Sequence, residues 1–299
     1  MKKLIPAMLI FALLFTGCGI LAPAQTVAPA EEAGEPFVFS AESFPVLAVG
    51  SALRPLAEGA ASLLLGGDAA TADIRDGATD EAYRALMDGE AAVVLASSPS
   101  EAMVREMAER GFTYDAAPIA LDALVFLVSE DNPVDGLTTQ QLRDIYSGKI
   151  TNWKQLGGRS EEITAFQRSA ASGSQTAMEE LVMNGTAMAD APSRQVLDNM
   201  AGPTRVLDSF DGSSGAIGYT FLYYAQTMSV GEGMKILAVD GVTPGSDTVT
   251  SDAYPFLVTY CAAVATDAAE ESPERVLWDW IQAANGRKLL LGCGYVPLR

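Results

Sequence analysis

Histidine is absent from all 299 residues. That removes Ser-His-Asp and Cys-His nucleophile chemistry, and with it His-ligated zinc or haem. Cysteine is scarce. The three present cannot supply a four-thiolate metal site, and no Cys-x-x-Cys pair exists. The Gly-rich lead-in of a nucleotide P-loop is missing as well, and Gly148-Lys149 is followed by Ile150. Basic residues are few: 19 Lys and Arg stand against 38 Asp and Glu, a formal net charge of −19. A field of that sign repels phosphate backbones and anionic bilayers, so no nucleic acid is expected as a partner. No compact Asp/Glu ligand motif fills the gap. Most of the usual enzyme vocabulary is therefore missing, and no metal or other cofactor is expected.

What is present suffices for a full-sized core. Hydrophobic residues make up 49% of the chain, and the length suits one large domain or two lobes. The N-terminus reads as an address. Met1, Lys2 and Lys3 precede an apolar run over Leu4–Phe15, too short to span a bilayer. Phe15-Thr16-Gly17-Cys18 follows and resembles a lipobox, so residues 1–17 read as a lipoprotein signal peptide and Cys18 as the lipidation site. An ordinary signal peptide with an incidental cysteine is the alternative. Residues 18–36, rich in Ala, Pro and Glu, read as a disordered tether, and the folded part should begin near Phe37. Export would put Cys261 and Cys293 in an oxidising compartment, where they are candidates for a disulfide. The alternative is two buried free thiols.

Beyond the tether, short apolar runs alternate with helical patterns. Strands are expected at Val46–Val49, Ala92–Leu95, Leu124–Val128, Ile163–Phe166 and Leu257–Val264. Helices are expected at Ala52–Leu65, Asp80–Met87, Pro99–Glu109, Thr139–Tyr146, Ser174–Met183 and Pro273–Ala284. Such alternation argues for an α/β architecture with mainly parallel strands. Several helix starts are marked by hydroxyl residues: Ser98-Pro99-Ser100-Glu101, Thr138-Thr139-Gln140-Gln141, Ser272-Pro273, Gly50-Ser51, Gly77-Ala78-Thr79 and Ser172-Gly173-Ser174.

In parallel α/β sheets, helices begin at the carboxyl ends of strands, so several helix N-termini crowd one crevice. Each offers unpaired N–H groups and a partial positive charge, to which Ser or Thr adds a hydroxyl. An anion site made mostly of neutral donors follows. Arg168, four residues before Ser172, is the basic residue placed to join it and to grip an oxyanion with two parallel hydrogen bonds. A surface ion pair for Arg168 and plain capping for the hydroxyls remain the alternatives at this point.

The run LVFLVSEDNPVDGLTTQQLRDIYSGKITNWKQLGG (124–158) closely resembles the PstS-type phosphate-binding receptors of ABC importers, a group of periplasmic binding proteins. ITAFQRSAASGSQTAMEEL (163–181), GAIGYTFLYYA (215–225) and WIQAANGRKLLLGCGYVPL (280–298) support the resemblance, which is weaker over 37–117. It implies a type II periplasmic-binding-protein fold, two α/β lobes with mixed, mainly parallel sheets and an interlobe cleft. Lobe 1 would comprise 37–126 plus 240–299, and lobe 2 would comprise 127–239. It implies ligand contacts from Arg168, Ser172, Gly173 and Ser174, from Ser51 and Thr79, and from Ser97 and Ser98 in the loop after the third strand. Some members carry Asp where Ser98 stands, accepting the proton of hydrogen phosphate. A hydroxyl does not repel fully deprotonated oxyanions as a carboxylate does. Asp73, Asp76 and Asp80 near the second loop are candidates to stand in. Tyr146, Trp153 and Tyr219 read as core, Gly148 as a helix end and Asn132-Pro133 as a turn.

The function so implied is a lipid-anchored, extracytoplasmic solute receptor. It would capture phosphate or a similar tetrahedral oxyanion and deliver it, as a monomer, to ABC permease subunits. An anion-sensing or scaffolding lipoprotein on the same fold is the alternative.

Overall fold

Buried apolar stretches set the strands, and side-chain caps at Ser100, Thr138 and Ser272 start three of the helices. The computed structural model describes residues 39–65, 69–192, 196–197, 215–227 and 233–298. The segments expected as signal peptide and tether, with Cys18, lie outside the described residues. The chain runs β1 (Leu47–Gly50), a 3-10 turn (Ser51–Leu53), α1 (Arg54–Leu64), β2 (Ile74–Gly77), α2 (Thr79–Met87), β3 (Val93–Ala96), α3 (Glu101–Glu109) and the 16-residue β4 (Tyr114–Ser129). Next come β5 (Gly136–Leu137), α4 (Thr139–Tyr146), β6 (Thr164–Ala165), β7 (Gln167–Arg168), and α5 (Gly173–Ala177) continued by a π-helical stretch (Met178–Met183). β8 (Val196–Leu197), β9 (Ala216–Phe221), α6 (Leu222–Thr227), β10 (Met234–Ile236), β11 (Ala238–Val239) and α7 (Ser246–Thr250) follow. The chain closes with β12 (Leu257–Ala265), α8 (Pro273–Gln282), α9 (Ala284–Gly292) and β13 (Val296–Pro297).

The main sheet has the order β2-β1-β3-β12-β4-β9-β6, with β10 and β13 also pairing β4. It is mixed. β2, β1 and β3 are mutually parallel, as are β6 and β9, and antiparallel β12 and β4 join the two groups. β4 pairs with β12 over Tyr114–Ala123 and with β9 over Leu124–Val128, so one continuous strand serves both groups. A large apolar cluster fills the interior along β1, β3, β4, β9, β12 and α1. A smaller one, with Tyr83, Met103 and Met107, lies between the sheet and α2 and α3.

Several boundaries depart from the sequence pattern. β4 starts at Tyr114, ten residues before the apolar run that announces it. Pro118 hides it, because proline cannot donate to a ladder. The strand accommodates Pro118 beside the register shift at Tyr260/Cys261. β2 was not foreseen because it is an end strand, with exposed Arg75 and Asp76. α3 begins at Glu101, with Ser100, not Ser98, as its cap: Ser100 Oγ accepts from Met103 N at 3.1 Å. The last helix breaks at Ala283, whose ψ of 176° is extended. α9 then packs so tightly on the end of α8 that a Cβ at Gly286 would overlap the Ile281 carbonyl. By contrast α4 spans Thr139–Tyr146 as expected, with reciprocal bonds between Thr138 and Gln141. Gly148 follows it at φ 78°.

Of the two alternatives for Cys261 and Cys293 the structure takes the second: both are free thiols. Alternation along β12 explains why. Ala263, two residues on, packs with the α2/α3 cluster, and Cys261 shares its face, near Tyr83 and Tyr114. Cys293 lies against α1 in the other cluster, its Sγ 3.8 Å from the Pro55 carbonyl. The sheet stands between them.

Candidate functional site

The parallel strands β1, β2 and β3 end side by side. Gly50 and Gly77 are register partners, and Ala96 closes β3 on the other flank of β1. The chain therefore releases Ser51, Ala78-Thr79 and Ser97 into one crevice. From the other side, β7 delivers Arg168, and a turn then brings Ser172 to the head of α5 with Gly173 and Ser174 in its first turn. Ser51, Thr79, Ser97, Arg168, Ser172, Gly173 and Ser174 all line one cavity of about 290 Å³. Ser98 does not: it is exposed, outside the lining.

The hydroxyls are close and covered. Thr79 Oγ1 lies 3.2 Å from Ser97 Oγ, and Ser172 Oγ lies 3.0 Å from Ser174 Oγ. Thr79, Ser97, Ser172 and Ser174 are all buried. The two sides touch directly. Asp80 N donates to the Ala171 carbonyl at 3.1 Å. A Cβ on Gly173 would overlap Ser97 Oγ and come within 2.5 Å of Thr79 Oγ1, so no side chain fits there.

Arg168 is 6% exposed, and burial pushes its guanidinium below its ordinary value. Its backbone N donates to Gln175 Oε1 at 3.1 Å and to Tyr219 Oη at 3.2 Å, and Tyr219 itself donates to Gln175. Nε reaches the Leu197 carbonyl at 3.3 Å, and NH1 reaches Ser174 Oγ at 3.4 Å. The guanidinium is thereby aimed across the head of α5. Tyr219 supports the site from beneath as well as filling the core.

Of the three aspartates near the second loop, the structure brings Asp76 to the cavity. Asp80 instead accepts from Ser100 N at 2.9 Å and Ser100 Oγ at 2.5 Å, and Asp73 pairs with Arg75 at 3.3 Å. Asp76 is partly neutralised by Arg54 at 3.6 Å. Glu81 also lines the cavity, accepting from Ala78 N at 2.9 Å. Among the described residues no group of three or more Cys, Asp or Glu is arranged to hold a metal ion. No described helix is long and apolar enough to cross a membrane. The arrangement suits an anion held by neutral donors and one guanidinium.

Residues 48–283 match the family model described as a PBP superfamily domain. The chain belongs to the PBP superfamily. Among its PBP-type relatives, the phosphate-binding protein PstS of Borreliella burgdorferi B31 is 26% identical over 182 residues, covering 60% of this chain and 64% of that protein. The PstS of Bacillus subtilis 168 is 26% identical over 183 residues, covering 60% and 56%. The chain thus spans less than two thirds of the length of these relatives. A solved structure of a putative phosphate ABC transporter substrate-binding protein from Clostridium perfringens, with bound phosphate, superposes at a TM-score of 0.70. It shares 24% identity and covers 85% of this chain and 99% of its own. An ABC-type phosphate transport receptor from Vibrio cholerae superposes at 0.64 with 23% identity, covering 85% and 100%. These similarities bear on the PBP fold.

Phe221 and Tyr260 are among the lining residues that escape sequence reasoning. Both sit within buried strands, β9 and β12, where an aromatic side chain looks like ordinary core. Position is their one signal: Tyr260 stands on a strand that joins the two parallel groups, and Phe221 ends the strand next to β4.

Proposed function

We propose that this protein is an extracytoplasmic receptor that binds phosphate, or a similar tetrahedral oxyanion, without catalysis and presents it to ABC permease subunits. The observation that carries the reading is the convergence of Arg168 and the α5 head with Ser51, Thr79 and Ser97 around one cavity. The names of the PstS relatives and the phosphate bound in the Clostridium perfringens structure support phosphate as the ligand. Residues 37–126 plus 240–299 act as one lobe and 127–239 as the other, and the ligand favours their closure. Lipidation at Cys18 anchors the receptor as a monomer to the outer face of the membrane. Ser98, exposed beyond the lining, makes no ligand contact in this reading.

The energetics are adequate. Micromolar affinity is about −8 kcal/mol. Hydrogen bonds to a charged group contribute roughly 1.5–3 kcal/mol each, so four to six of them cover closure and desolvation costs. The test is titration calorimetry with inorganic phosphate. Arg168→Ala should weaken binding at least tenfold while the melting midpoint of the ligand-free protein stays nearly constant. Undiminished affinity in that variant would refute the site.

A further inference from the structure

Behind the cavity lies a buried carboxylate that the anion site does not use. Asp122, on β4, is 3% exposed. Its Oδ2 accepts from Tyr260 Oη at 2.5 Å. Its Oδ1 accepts from Ala123 N at 2.7 Å and from Tyr223 N at 3.1 Å, and the Leu222 amide also bonds the carboxyl. Asp122 thus ties together the two linking strands and β9 of the second parallel group. It is part of β4, it holds Tyr260 of β12, and it caps α6 where that helix leaves β9 at Phe221. Tyr260 and Phe221 are the aromatic wall of the cavity, edge to face at 5.6 Å. The phenol of Tyr260 therefore spans from carboxyl to cavity.

We propose that Asp122 is the positioning residue of the cavity's back wall, fixing Tyr260 and the first turn of α6, and that it takes up a proton from solvent when an anion fills the cavity. The inference rests on the anion-receptor reading. Its physical basis is that two negative charges would otherwise face each other across one phenol ring, in a poorly solvated interior. Burial already pushes the Asp122 carboxyl up to about 6, with the hydrogen bonds from Tyr260 and the three amides opposing that rise. The titratable groups facing it are the phenols of Tyr260 on β12 and Tyr223 on α6, with Tyr295 ahead of β13 packed on both rings, and β9 contributes uncharged Phe221. All three phenols are raised by burial, so all stay uncharged near neutrality and none is a cation that could offset the two negative charges.

The sign follows from linkage. A bound anion raises the Asp122 value further, so affinity is full below about pH 6 and declines as pH rises through the higher value of the complex. Each unit of rise corresponds to about a tenfold loss of affinity. The experiment is calorimetric titration of the full chain with inorganic phosphate between pH 5.5 and 8.5, for wild type, Asp122→Asn and Tyr260→Phe. Phosphate's own titration is common to all three and cancels in the comparison. Asn keeps an oxygen for Tyr260 and carries no charge. D122N should match wild type near pH 5.5 and bind about tenfold more tightly at pH 8.5. Y260F removes a donor to the ionised carboxyl and should move the wild-type step to higher pH, which decides the matter if D122N does not fold. Parallel wild-type and D122N profiles, or a Y260F step at the wild-type position, would overturn the proposal. Failure of wild type to bind phosphate at any pH would instead strike the receptor reading.

Discussion

Gly173 shows how much one missing carbon decides. Its neighbours Ser172 and Ser174 supply hydroxyls, while Gly173 itself supplies closeness, letting the α5 head meet Ser97 and Thr79. Gly173→Ala should keep the two sides apart. Phosphate affinity is expected to drop more than tenfold, or about 1.4 kcal/mol. The ligand-free melting midpoint should hardly move, and calorimetry with a parallel melting curve checks both. Arg168 is legible as a neighbour of the α5 head because its four-residue spacing to Ser172 survives translation from chain to space, and both line the cavity. Ser98 illustrates the opposite case. Two adjacent serines follow β3, and only Ser97 turns inward; Ser98 is left outside as the chain runs on to Ser100, the true cap of α3.

At the scale of the element, capping chemistry proved the most readable layer. Thr138 and Gln141 close a reciprocal box at the start of α4, far in sequence from the cavity residues. Thr138→Ala should cost about 1 kcal/mol of stability in a denaturant titration and leave phosphate affinity unchanged. A fall in affinity would mean that α4 communicates with the site. The less readable elements share a cause. β2 is polar because it is an end strand, and β4 contains a proline tolerated only beside a register shift. The π-helical stretch after α5 matches the helical period expected for Ser174–Met183 closely enough to pass for ordinary helix.

At the scale of the whole molecule, the sheet sets which distant residues meet. It puts Cys261 and Cys293 on opposite faces, so thiol titration of the unfolded, unreduced protein should find both reactive; neither titrating would point to a disulfide and refute this placement. The same sheet brings Asp122, Tyr223 and Tyr260 together from three separate segments, across 101 and 138 residues of sequence.

Composition by itself excluded histidine chemistry and a four-thiolate metal site, and local spacing marked the helix heads that gather around one cavity. Both are properties of short stretches, where backbone geometry follows from a few neighbouring side chains. Tertiary structure alone decided which serine faces the cavity, which aspartate reaches it, and that a buried carboxylate stands behind its aromatic wall. Those outcomes depend on strand order and register, which are set by long-range packing of β4, β9 and β12 and leave no signature in any one segment.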